Sequence, residues 1–192
     1  MNLTSTAQPA INPGEPAGLV VWLTGLSSAG KTTIAEAVRA RLVERRFKVE
    51  LLDGDRVRKA LSSDLGFTRA DRDENVRRIG FVASLLARNG VLVIVAAISP
   101  FRAARNDALK TCGNSIEVYV NAPVSVCEQR DVKGLYHRAR RGEIAHVSGV
   151  DLPYEAPANP YVECRTAQES IIESVAKVLR AIEGRLDAVS VR

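Results

Sequence analysis

Gly25-Leu26-Ser27-Ser28-Ala29-Gly30-Lys31-Thr32 has the composition and spacing of a loop that cradles phosphate, Gly-x-x-x-x-Gly-Lys-Thr. It follows a short apolar run, Leu19–Thr24, and precedes a helical pattern, which is the context that gives the motif meaning. Its glycines permit backbone conformations and a close approach that a side chain would block. Consecutive backbone N–H groups and the helix N-terminus then face the phosphates. In such a loop Lys31 reaches the β- and γ-phosphates of a nucleoside triphosphate, the Thr32 hydroxyl ligates Mg²⁺, and Thr33 completes the donor set. A second candidate is Asp53-Gly54-Asp55, which closes the next strand. A carboxylate there can take the proton from an acceptor hydroxyl and orient it for attack. Asp and Gly are also ordinary at strand-ending turns, so the tripeptide alone does not decide.

Positioning these groups requires strands and helices in alternation. Strands are expected at 19–24, 48–52, 91–98, 116–120 and 161–165. Helices are expected at 31–46, 56–62, 71–89, 101–111, 123–130, 135–141 and 167–184. The inner face of helix 71–89 is read as Ile79, Val82, Leu85 and Leu86; that of 167–184 as Ile171, Val175, Val178, Leu179 and Ile182. Strands separated by helical crossovers imply an α/β fold, a parallel sheet with helices on both faces. Ligands of such sheets bind at the carboxyl ends of the strands, where the Gly25–Thr32 loop, Asp53–Asp55 and Ser99-Pro100 all fall.

The 192 residues suit one domain, expected at 18–184, after a flexible leader at 1–17 rich in proline and before a tail at 185–192. No apolar run approaches the length of a membrane span, so no membrane partner and a cytoplasmic location are expected. Cys112, Cys127 and Cys164 are too few and too scattered for a disulfide framework or a zinc site, and read as small buried hydrophobes. The net charge of +5 is spread over residues near predicted loops, such as Arg56, Arg58, Lys59, Arg72 and Lys133. A small, strongly anionic substrate accounts for that spread as well as a polyanion does; no nucleic-acid partner is expected.

A phosphate-binding loop is shared by several classes. A GTP-binding switch would carry Asn-Lys-x-Asp, which does not occur in the chain. A motor or transport ATPase would end an apolar strand in Asp, whereas 91–98 runs into Ser99-Pro100. A compact metabolite kinase fits best. A kinase for another anionic metabolite and a nucleotide-binding regulator without turnover are the competing readings.

Further motifs occur in order: Asp53-Gly-Asp-Arg-Val-Arg58, Asp64-Leu-Gly-Phe67, Ala70–Gly80, Ile98-Ser-Pro-Phe-Arg102, Glu117–Pro123, Cys127–Asp131, Lys133-Gly-Leu-Tyr136 and Pro153–Pro157. Over about residues 18–184 the chain closely resembles adenylylsulfate kinase, a P-loop kinase family that phosphorylates adenosine 5′-phosphosulfate (APS) to 3′-phosphoadenosine 5′-phosphosulfate (PAPS). The resemblance implies ATP with Mg²⁺ as donor, APS as acceptor and a role in sulfate assimilation. It also implies a homodimer and a functional link to ATP sulfurylase.

By the same likeness Asp55 acts as base toward the 3′-hydroxyl, and Asp53 belongs to the APS site. Arg58 and Arg72 grip the phosphosulfate, a task suited to guanidinium forks. Asn75, Ile98 and Ser99 contact APS, and Phe67 stacks on its adenine. Some members of the family carry a phosphorylated serine at the position of Ser99, which makes it a candidate phosphoserine; direct transfer needs no such step and is the reading taken. Segment 131–160 resembles the family's mobile lid, with Lys133 supplying charge to the transferring phosphoryl and Arg130 packing on the ATP adenine. The chain departs from the family at Val147, where the lid usually places the aromatic that covers the second face of the APS adenine. Weaker APS binding, or less substrate inhibition, is the expected result.

Overall fold

The computed structural model describes residues 18–190; the expected leader at 1–17 lies outside them. Five strands form one parallel sheet: β1 (Leu19–Thr24), β2 (Val49–Asp53), β3 (Leu92–Ala96), β4 (Ser115–Asn121) and β5 (Val162–Arg165), in the order β2-β3-β1-β4-β5. Seven helices accompany them: α1 (Lys31–Glu44), α2 (Gly54–Leu61), α3 (Arg69–Arg88), α4 (Arg102–Cys112), α5 (Val124–Arg130), α6 (Leu135–Arg140) and α7 (Ile171–Ser190).

Alternation along the central strand builds two cores. Leu19, Val21 and Leu23 of β1 face one side and pack with Ile34, Val38 and Leu42 of α1 and Val178 and Ile182 of α7. Val20 and Trp22 face the other side, with Val76, Ile79 and Ala83 of α3 and Ala108 and Cys112 of α4. Every residue of β1 and β3 is buried, as expected for strands covered on both faces. All three cysteines are buried and free.

Two helix faces differ from the sequence expectation. On α3 the buried residues include Val76, Ile79, Gly80, Ala83 and Ala87, while Leu85 is exposed and Val82 half-buried. Small residues let α3 lie close to α4: a Cβ on Gly80 would sit 2.9 Å from the Ala108 Cβ. At about 3.6 residues per turn Leu85 falls on the side of α3 away from that seam. The last helix begins at Ile171 and extends to Ser190, into the expected tail. Its start is set by Ser170, whose Oγ accepts from Glu173 N (3.2 Å) while the Glu173 carboxylate accepts from Ser170 N (2.8 Å). Ile171 therefore sits in the first turn and is exposed, away from the inner face it was assigned.

Segment 131–160 carries more apolar anchors than its charge suggests. Tyr136 and Val147 are buried within the same core as α1 and α7. The Tyr136 hydroxyl donates to Ser27 O (3.1 Å), which fastens α6 onto the phosphate loop.

Candidate active site

A cavity of about 790 Å³ opens at the carboxyl edge of the sheet, within the usual range for small-molecule sites. Three turns meet around it, those following β1, β2 and β3.

The turn after β1 is the Gly25–Thr32 loop. Gly25 packs against β4 so closely that a Cβ would lie 2.3 Å from Val120 O, and Gly30 adopts φ 105° as the N-cap of α1. Ser27, Ser28, Gly30, Lys31, Thr32 and Thr33 line the cavity, while Gly25, Leu26 and Ala29 lie behind it and shape the loop. Lys31 is buried and donates from Nζ to Leu26 O (2.6 Å). Burial, and next the charge of Lys133, lower its pKa to about 8.

Asp53, the last residue of β2, uses both carboxylate oxygens. Oδ1 accepts from Asp55 N (3.1 Å) and Arg56 N (3.3 Å), capping α2. Oδ2 accepts from the Thr32 hydroxyl (2.9 Å). The carboxylate absent from the end of β3 thus comes from β2. A hydroxyl and a carboxylate in contact form a hard oxygen donor pair that fits Mg²⁺, a cation that keeps several waters and binds through one or two protein groups plus phosphates. Asp55 projects from the first turn of α2, largely exposed, and is ion-paired with Lys133 from the 131–160 segment.

The acceptor candidates gather on the far side. Arg58 and Arg72 both lie over the Phe67 ring, at 4.6 and 5.6 Å from its centroid. Arg58 Nη1 donates to Gly66 O (2.7 Å), and burial lowers the pKa of its guanidinium. Arg72 donates from Nε to Phe67 O (3.1 Å) and from Nη2 to His146 O (2.5 Å). Burial, and then the neighbouring Arg58, bring its pKa down to about 10. Asn75 lines the cavity, is 8% exposed, and its Oδ1 has no hydrogen-bond partner. A buried acceptor without a donor is costly unless a ligand supplies one.

Ile98 and Ser99 form the floor after β3. Ser99 has φ 40°, and its hydroxyl is 3.0 Å from Trp22 Nε1, whose proton it accepts, and 3.2 Å from Thr24 Oγ1. Arg130 lies against the donor loop, with Nη1 3.5 Å from Ser28 O and Ala29 O, and donates from Nη2 to Thr166 O beyond β5 (2.6 Å).

Val147 is placed differently from expectation. It is 8% exposed, belongs to the main core and does not line the cavity, because Asp151 accepts from its N–H (2.6 Å) and holds the 147–151 turn inward. The cavity also includes Val132, Thr166, Glu169 and Ile171, which carry no sequence motif. For Ile171 the signal was present, a Ser-x-x-Glu capping pattern at 170–173.

Comparison with known proteins agrees with this fold. Residues 17–165 match the adenylylsulphate kinase family model. The chain is 60% identical to the adenylyl-sulfate kinase of Microcystis aeruginosa, over 84% of this chain and 89% of the relative. It is 57% identical to that of Rippkaea orientalis, over 86% and 92%. An APS kinase of Mycobacterium tuberculosis, solved in complex with AMPPNP and APS, superposes with a TM-score of 0.84 at 45% identity, covering 88% of this chain and 99% of that one. With the family model matching most of the chain and relatives this similar over most of their own length, the chain belongs to the adenylylsulfate kinase family.

Proposed function

We propose that this ATP-dependent kinase makes PAPS and ADP by direct transfer of the γ-phosphoryl of ATP to the 3′-hydroxyl of APS. The observation that carries the reading is the meeting, in one cavity, of the Lys31–Thr32 loop, Asp55 and the Arg58–Arg72–Phe67–Asn75 group. Asp55 takes the proton of the 3′-hydroxyl as that oxygen attacks the γ-phosphorus, and the bond from phosphorus to the β–γ bridging oxygen breaks to release ADP. Lys31 and Lys133, which both line the cavity, stabilise the negative charge that spreads over the transferring group. Thr32 and Asp53 are the residues that would hold Mg²⁺, which when bound neutralises charge on the β- and γ-phosphate oxygens. Arg58 and Arg72 grip the phosphosulfate, Phe67 stacks on the adenine of APS, and Asn75 Oδ1 receives a donor from the ligand. Arg130 packs on the ATP adenine.

The Ser99 hydroxyl is 3% exposed and committed to Trp22 and Thr24, which supports transfer without a phosphoserine. Closure of segment 131–160 over both nucleotides, a homodimer, an ATP sulfurylase that supplies APS and a cytoplasmic location belong to the same proposal. No helix among the described residues is long and apolar enough to cross a membrane.

The test is Asp55→Asn, assayed for PAPS with ATP and APS. A general base contributes about 10²–10⁴-fold, so kcat falls by at least about a hundredfold with the KM for ATP little changed. A fall of less than about fivefold rejects Asp55 as the base.

A further inference from the structure

Behind the floor of the cavity lies a buried polar cluster that the transfer chemistry does not use. Its centre is Arg105 of α4, which is fully buried and does not line the cavity. Three of its nitrogens reach three separate segments. Nη1 donates to Ser99 O (2.6 Å), Nε to Glu117 Oε1 on β4 (2.9 Å), and Nη2 to Glu155 O near the end of the 131–160 segment (2.7 Å). The guanidinium carbon also lies 5.7 Å from the centroid of the Tyr154 ring.

A chain of hydroxyls continues from there. The Tyr154 hydroxyl is 2.9 Å from Thr24 Oγ1, the residue that precedes the donor loop, and Thr24 Oγ1 donates to Ile98 O (2.8 Å). Thr24 spends its proton on Ile98, so the Tyr154 and Ser99 hydroxyls both donate to its oxygen, and Ser99 in turn accepts from Trp22 Nε1. Ser99 sits at φ 40°, a conformation that a residue with a Cβ keeps only where its surroundings enforce it. The surroundings here are the Arg105 bond to its carbonyl and the Trp22 and Thr24 bonds to its hydroxyl.

We propose that Arg105 is a positioning residue for the acceptor. Its fork holds the Ile98–Pro100 floor in the strained turn and ties that floor to the Tyr154–Glu155 end of the lid segment. The donor loop has anchors of its own that do not involve Arg105, from Tyr136 to Ser27 O, from Thr166 to Ala29 O and from Thr32 to Asp53. Loss of the fork therefore disturbs one substrate more than the other. Lysine at this position keeps the charge facing Glu117 but cannot span three acceptors.

The inference rests on APS as acceptor, and the experiment separates the two claims. Wild-type protein that forms no PAPS from ATP and APS overturns the functional reading. With active wild type, Arg105→Lys is expected to raise the KM for APS about tenfold while the KM for ATP stays within about twofold. Trp22 is the one tryptophan in the chain, so its emission reads the hydrogen bond to Ser99 directly. Arg105→Lys is expected to shift that emission, and saturating APS to move it back toward wild type. Equal changes in both KM values, or unchanged KM and emission in a folded variant, overturn the proposal. Should Arg105→Lys fail to fold, Glu117→Gln weakens one arm of the fork by replacing the carboxylate with a neutral amide acceptor, and is expected to raise the KM for APS about threefold with the same emission shift; no change in either overturns it.

Discussion

Lys31 makes activity and stability respond to pH with opposite signs. Its ordinary pKa of 10.5 falls to about 8 in the folded chain, first because burial disfavours the ammonium and second because Lys133 stands near. Near pH 7 about nine tenths of the free enzyme carries the charged lysine, and near pH 9 about one tenth does, so kcat/KM for ATP falls about tenfold across that interval. Stability moves the other way. Between about pH 8 and 10.5 the unfolded chain holds a proton on Lys31 that the folded chain has lost, so Lys31 contributes a stability that rises with pH in that window. The full shift is worth about 3 kcal/mol. Lys31→Met removes the buried charge: its Tm is expected to exceed that of wild type near pH 7, with the gap narrowing toward about pH 9.5. The assays are kcat/KM for ATP against pH at saturating APS, and thermal unfolding of both proteins across the same range. A flat kcat/KM profile between about pH 7 and 9, or a Met variant less stable than wild type near pH 7, would refute the reasoning.

Asp53→Ala removes two capping bonds to α2 and the acceptor of the Thr32 hydroxyl. We expect a loss of roughly 2 kcal/mol in denaturant unfolding, with the Mg²⁺ concentration for half-maximal activity raised about tenfold; an unchanged Mg²⁺ dependence would remove Asp53 from the metal assignment. Val147→Phe adds bulk to a position buried in the core, so it is expected to cost roughly 1–3 kcal/mol and lower Tm by several degrees. A stable variant with tighter APS binding would instead place residue 147 over the acceptor.

The parts of the site that were legible in the sequence are those whose backbone demands a residue type. Gly25 and Gly30 are such positions, one pressed against Val120 and one at φ 105°. Asp53 and Asp55 were legible as a pair because they flank the glycine of a strand-ending turn, although Asp53 closes β2 and Asp55 opens α2. The contact between Asp53 and Thr32 was not, since 21 residues separate them and only the sheet order brings them together. Val147 read as a member of the adenine site because it stands where the resembled family places a lid aromatic, but the Asp151 carboxylate turns it into the core. Arg105 showed nothing in the sequence: its three partners lie 6, 12 and 50 residues away and share no motif.

The sheet order also fixes a length. β3 lies between β1 and β2, so the turns that carry the donor and acceptor groups are two strand spacings apart, about 10 Å. That interval is held by main-chain hydrogen bonds and does not change when side chains are substituted. Substitution can therefore retune which acceptor is held, and how firmly, while the span that the reacting groups must bridge stays as the backbone lattice sets it.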